Sequence, residues 1–109
     1  MQSRPSWQVD ACPAWCVVDH GEHDHPDDRV HRSAALSVPV VARRTGFDGA
    51  RILRSAEATE FDVALSRVDG DWQSWLYVGS GPARAVEVSA ESGQALVRAI
   101  AAVLGAEHP

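Results

Sequence analysis

At 109 residues, with 45% hydrophobic and 23% charged residues, the chain has the length and composition of one soluble globular domain, not of a disordered segment. Its formal net charge of -5 argues against a generic nucleic-acid binder. Its longest apolar run, 99–104, falls far short of the roughly 20 residues that span a bilayer, so no membrane partner is expected. The charge is unevenly placed, because six arginines and Asp48 make 29–54 strongly basic within an acidic chain. All ten basic residues are Arg, with no Lys and no Asn, a bias typical of high-GC genomes such as those of actinobacteria. The first residues lack an apolar signal core, which predicts a cytoplasmic protein whose two cysteines are reduced and available to a metal.

Residues 1–33 show neither helical nor strand period, and 19–32 consist almost entirely of His, Asp, Glu, Arg and Gly. Such a stretch needs something other than a hydrophobic core to order it. The ordered set Cys12, Cys16, His20 and His31 offers two thiolates and two imidazoles, the donors of a closed, tetrahedral, structural zinc site. His23 and His25 are the replacements should His20 not ligate. Cys12, Cys16 and His20 are spaced by four, but a straight helix across them would rise about 12 Å, whereas ligand atoms of one zinc lie within about 4 Å of each other. The spacing therefore predicts one or two helical turns from Pro13 with Cys12 as N-cap, an exit at Gly21, a fold-back to His20, and closure by His31. Asp27 or Asp28 is placed to hold the second nitrogen of a ligand imidazole. Trp7 and Trp15 flank the segment and are expected to shield the ion and join it to the rest of the fold. An open catalytic zinc with Glu22 as base is the lesser reading, since four ligands are present to close the site.

Cys12-Pro13-Ala14-Trp15-Cys16, followed by His20, the acidic pair Asp27-Asp28 and His31, resembles a family of small actinobacterial proteins of no established activity. They share an N-terminal Cys-Pro-x-Trp-Cys segment, a His and, after an acidic stretch, a second His. The resemblance covers about a quarter of the chain. It implies metal binding and nothing about a reaction.

Residues 34–44 are rich in β-branched side chains and predict a strand, with Pro39 marking an edge or bulge. A turn is expected at 46–49 and a short strand at 51–54. Phe61, Val63 and Leu65 alternate with polar or small residues up to Asp69-Gly70, read as a two-residue hairpin turn. That turn would set Phe61 opposite Val78, Val63 opposite Leu76 and Arg67 opposite Trp72. After the break at 79–82, 84–88 alternates as a last strand. Ser89 is placed to cap a helix over 90–104, whose apolar stripe is Leu96, Val97, Ile100, Val103 and Leu104, with Gly105 as its stop. The expected fold is α+β and a single domain, 1–109. It comprises a zinc knuckle (1–33), an antiparallel meander of about four strands (34–88) and one helix packed on the sheet (89–105).

The hairpin pattern puts Trp75 and Tyr77 on the face away from that helix, where the knuckle is expected to cover them; if exposed they mark a partner surface together with Arg43, Arg44, Arg51 and Arg54. The functional expectation is a zinc-stabilised protein-interaction or regulatory module. The alternatives are a nucleic-acid-binding zinc protein and a zinc-dependent hydrolase; the second is disfavoured because no complete catalytic constellation is present.

Overall fold

Alternation of apolar and polar side chains is strongest in 61–68 and 75–79, and these segments form the centre of an antiparallel sheet in the computed structural model, which describes residues 4–107. The strands are β1 (Val30–Arg32), β2 (Leu36–Asp48), β3 (Arg51–Val68), β4 (Trp75–Gly79) and β5 (Ala85–Ser89), followed by one helix, α1 (Ala90–Glu107). β3 is the hub. One of its edges pairs with β4, which pairs with β5; along the other edge β1 and β2 lie end to end. The expected meander is β2 to β5, and β1 is the strand that sequence periodicity did not reveal.

β2 and β3 make a ribbon far longer than expected, 13 residues against 18. Its turn is Gly49-Ala50, not 46–49: Gly46, Phe47 and Asp48 stay in the ladder opposite Leu53, Ile52 and Arg51. Gly49 has φ +59°, the positive angle that a two-residue II′ turn requires at its first central position. Pro39 lies in β2, on the sheet's edge, as expected.

The β3–β4 register also differs. Val63 faces Val78, Leu65 faces Leu76, Ala64 faces Tyr77 and Ser66 faces Trp75, a displacement of two residues. Side chains alternate with period two, so this shift leaves every side chain on its expected face. The connection is longer than a two-residue turn because β4 begins only at Trp75; Asp71 N donates to Val68 O at 2.9 Å, with Gly70 at φ +85°.

One face of the sheet carries Leu36, Val38, Phe61, Val63, Leu65, Leu76, Val78 and Val86, paired directly across neighbouring strands. Helix α1 packs on this face. Ser89 Oγ accepts from Ser92 N at 3.1 Å and caps it, as expected. Gly93 is buried against Leu76, where a Cβ would come within 2.6 Å of Leu76 Cδ2. The helix runs through Gly105 to Glu107, because an interior glycine costs only about 1 kcal/mol and Ala106 and Glu107 are good helix formers.

Gly79, at the end of β4, is buried, and a Cβ there would lie 2.3 Å from the Arg84 carbonyl oxygen and 2.5 Å from Ala85 Cα. Backbone cannot move aside as a side chain can. Gly79→Val should therefore destabilise the fold by about 2–3 kcal/mol, read as a fall in urea midpoint at unchanged m-value; wild-type stability would show that the β4–β5 connection is laxer than described.

Apart from Pro5, no apolar side chain among the described residues is buried, and the radius of gyration is 18.5 Å, against about 13 Å for a compact domain of this length. Among the described residues no helix is long and apolar enough to cross a membrane.

Candidate metal centre

The N-terminal segment reaches the sheet through β1. Cys16 forms an isolated antiparallel bridge with Ser33, and Val17 N donates to Arg32 O at 2.9 Å, so the chain past Cys16 is held extended. This replaces the helix expected from Pro13. Residues 13–16 close one turn, with Cys16 N donating to Pro13 O at 2.9 Å, and the Val17 amide goes to β1 instead of winding on. A second turn at Gly21 is tied by Asp24, whose Oδ2 accepts from Gly21 N at 2.9 Å, and Trp7 Nε1 donates to Gly21 O at 2.8 Å. These anchors set His20 between Trp7 and His31, edge-on to both rings at 5.5 and 5.0 Å between centroids.

The result is the expected set. One donor atom from each of Cys12, Cys16, His20 and His31 lies within 4.8 Å of every other, and the four could hold a metal ion. His20 Nε2 is 3.6 Å from Cys16 Sγ, the separation expected of N and S ligands about 2.0 and 2.3 Å from one tetrahedral ion. His31 is fully buried. Its Nε2 is 3.0 Å from Asp69 Oδ1, which leaves the buried and otherwise unpartnered Nδ1 as the atom for the cluster.

Asp69, expected as a turn former, has a second role. Its side chain is 5% exposed, and besides His31 it accepts from Val9 N at 2.7 Å and Asp10 N at 3.1 Å. Asp10 answers by accepting from Gly70 N at 2.8 Å. Burial pushes the Asp69 carboxyl upward, but the Val9 and Asp10 amides and His31 outweigh it and hold its pKa below the ordinary value. Asp69 therefore does what was expected of Asp27 or Asp28. Those two lie in a single 3-10 turn, Pro26–Asp28, with both side chains exposed. Asp27 partners His25 instead: its amide donates to His25 Nδ1 at 3.1 Å, and its carboxylate is 3.6 Å from the same nitrogen. No local signal marks Asp69, since 38 residues separate it from His31 and Asp-Gly is itself a strong turn signature.

His23 and His25 are exposed and stand outside the cluster. Glu22 is engaged by Ser6, whose amide donates to Oε2 at 2.6 Å and whose hydroxyl donates to Oε1. Trp15 has Arg67 over its ring at 6.0 Å and lines a groove with Leu36, Leu65 and Leu76 on the sheet. The segment thus sits on the helix-bearing face. It does not cover Trp75, which is 40% exposed, or Tyr77 on the opposite face. Of the four arginines, Arg43 and Arg54 share the face of Trp75 and Tyr77, while Arg44 and Arg51 point to the other, where Arg44 pairs with Glu57 at 3.5 Å.

The two thiols are unequal. Burial raises Cys16, but the Val18 and Arg32 amides with His31 and His20 more than compensate and lower it to about 6. Burial and the neighbouring Cys16 thiolate raise Cys12. A thiol depressed in the fold favours the charged, metal-binding form above its folded pKa and loses that contribution as pH falls through it. Metal affinity should therefore weaken as pH falls, because protonation of Cys16 competes with the ion, monitored with a chromophoric chelator; an affinity unchanged between about pH 7 and pH 5 would contradict this electrostatic picture.

Fold and site together define a small α+β protein with a Cys2His2 cluster pinned to the edge of an antiparallel sheet. The chain belongs to a family defined as a domain of unknown function (DUF6907), whose model matches residues 2–107. No curated protein and no solved structure matches it.

Proposed function

We propose that this protein is a single-domain, zinc-stabilised protein-interaction module, with structural zinc held by Cys12, Cys16, His20 and His31. The observation that carries the reading is closure of the cluster: two sulfurs and two imidazole nitrogens converge, and two thiolates with two imidazoles favour tetrahedral zinc with no position left for water or substrate. Orientation of His31 by a buried carboxylate is the arrangement common to metal-binding histidines. Engagement of Glu22 by Ser6 weighs against its use as a catalytic base. A reduced, cytoplasmic setting suits paired thiolate ligands.

The interaction part of the reading rests on the face opposite the knuckle. Trp75 and Tyr77 lie there with Arg43 and Arg54, and a cleft lined by Arg32, Asp62, Ala64, Tyr77 and Glu87 opens beside them. Aromatic side chains and arginine are the residues that interfaces favour. The nucleic-acid alternative has less support, because the arginines are divided between two faces and one is paired with Glu57. Affinity capture with the tagged full-length chain should recover a specific protein. Trp75→Ala should abolish that recovery while leaving zinc content and melting temperature unchanged; equal recovery by the variant, or no protein recovered by wild type in any growth phase, would refute the assignment.

A further inference from the structure

We infer that the helix-bearing face of the sheet is a homodimer interface, in which the free half of α1 of each copy lies on the apolar ribbon face of the other. This concerns the face opposite Trp75 and Tyr77, so it stands apart from the heterologous-partner reading.

Surface area is the first reason. A compact monomer of 11.7 kDa exposes about 5,900 Å², whereas this chain exposes 8358 Å². The excess of about 2,500 Å² per copy, or about 5,000 Å² per pair, matches what obligate homodimers bury. The second reason is stoichiometric. A chain with no buried apolar core among its described residues, Pro5 apart, needs a companion present whenever it is folded. A second copy is made wherever the first is, and its occupancy of the face then follows protein concentration.

Complementarity is the third reason. Helix α1 meets the sheet around Ala90, Gly93, Gln94 and Val97. Beyond that point Ile100, Val103 and Leu104 are 54%, 72% and 56% exposed. On the same face Ala42, Phe61, Val78 and Val86, together with Arg43, Arg44 and Arg84, line an open and largely apolar groove of about 340 Å³. The ribbon that bears half of this groove has only two strands over most of its length, and a two-stranded hairpin is marginal without something packed on it. One chain thus presents an uncovered apolar stripe and an uncovered apolar shelf. Two-fold symmetry lets each stripe meet the other copy's shelf, closing both at once and leaving nothing open for further growth.

The test uses the full-length, metal-loaded protein. Light scattering should give twice 11.7 kDa, and the melting temperature should rise with protein concentration. Ile100→Arg and Ala42→Glu should each remove the dimer, through at least 100-fold weaker association or through loss of cooperative folding. Co-expressed, the two variants should form a 1:1 heterodimer, because one contact then pairs Arg with Glu and the other is wild type. That rescue separates a lost interface from a broken protomer. A wild type that is monomeric with a concentration-independent melt, a larger assembly, a variant that dimerises as wild type does, or failure of the mixed pair to associate would each overturn the inference. Zinc content is measured alongside, so failure here is distinguishable from failure of the metal assignment.

Discussion

Chelation should abolish the cooperative thermal transition of this protein or lower its midpoint by at least about 20 °C. A structural zinc of this ligand type contributes on the order of 10 kcal/mol, and a whole domain is stable by only about 5–15 kcal/mol. Segment 4–33 is held by turns and single bridges, and Pro5 is its one buried apolar side chain, so little there offsets the loss. Protein purified without added metal should carry one zinc per chain, and Cys16→Ser and His31→Ala should each lose it. Hydrogen exchange should show the first deprotection in 4–33, where the ordering contacts are turns and single bridges. Far less than one zinc per wild-type chain, or a melt indifferent to chelator, would remove the structural-zinc assignment.

Asp69→Ala should be the most damaging change outside the four ligands. It leaves the His31 Nε2 donor and the Val9 and Asp10 amides without their common acceptor. Stranding the buried His31 donor costs about 1–3 kcal/mol, and losing two amide hydrogen bonds to a carboxylate adds to it, giving an expected loss of about 3–5 kcal/mol. Zinc affinity should fall 10- to 100-fold, as is usual when the residue orienting a ligand histidine is removed. Asp27→Ala and Asp28→Ala serve as controls and should lie within about 0.5 kcal/mol of wild type, since both side chains are exposed. Competition titration against a chromophoric chelator measures the affinities. Wild-type affinity in Asp69→Ala would show that His31 is held by other means.

The four candidate ligands were legible because donor chemistry and count survive any error in local structure. The helix expected at Pro13 was not formed, yet one turn and a bridge to Ser33 bring the same residues together. The hairpin was legible for a similar reason: a register error of two residues preserves the faces, so Val63, Leu65, Leu76 and Val78 were assigned to the right side. The outer part of the ribbon was not legible. Ser55-Ala56-Glu57-Ala58 has low β propensity, and it is strand because β2 supplies the backbone partner opposite it. The role of Asp69 has no local signature because it is created by residues 38 and 60 positions away in sequence.

That last separation bears on how the molecule is made. The cysteines and His31 leave the ribosome well before Asp69, the carboxylate that aligns His31. At about 5–20 residues per second the interval from His31 to Asp69 lasts roughly 2–8 s. For those seconds the nascent chain carries two thiols and two imidazoles without the carboxylate that His31 meets in the fold. The Asp69 contacts with Val9, Asp10 and His31 can form only once the sheet's central strand has been made, so the first third of the chain waits on the second for its last hydrogen bonds.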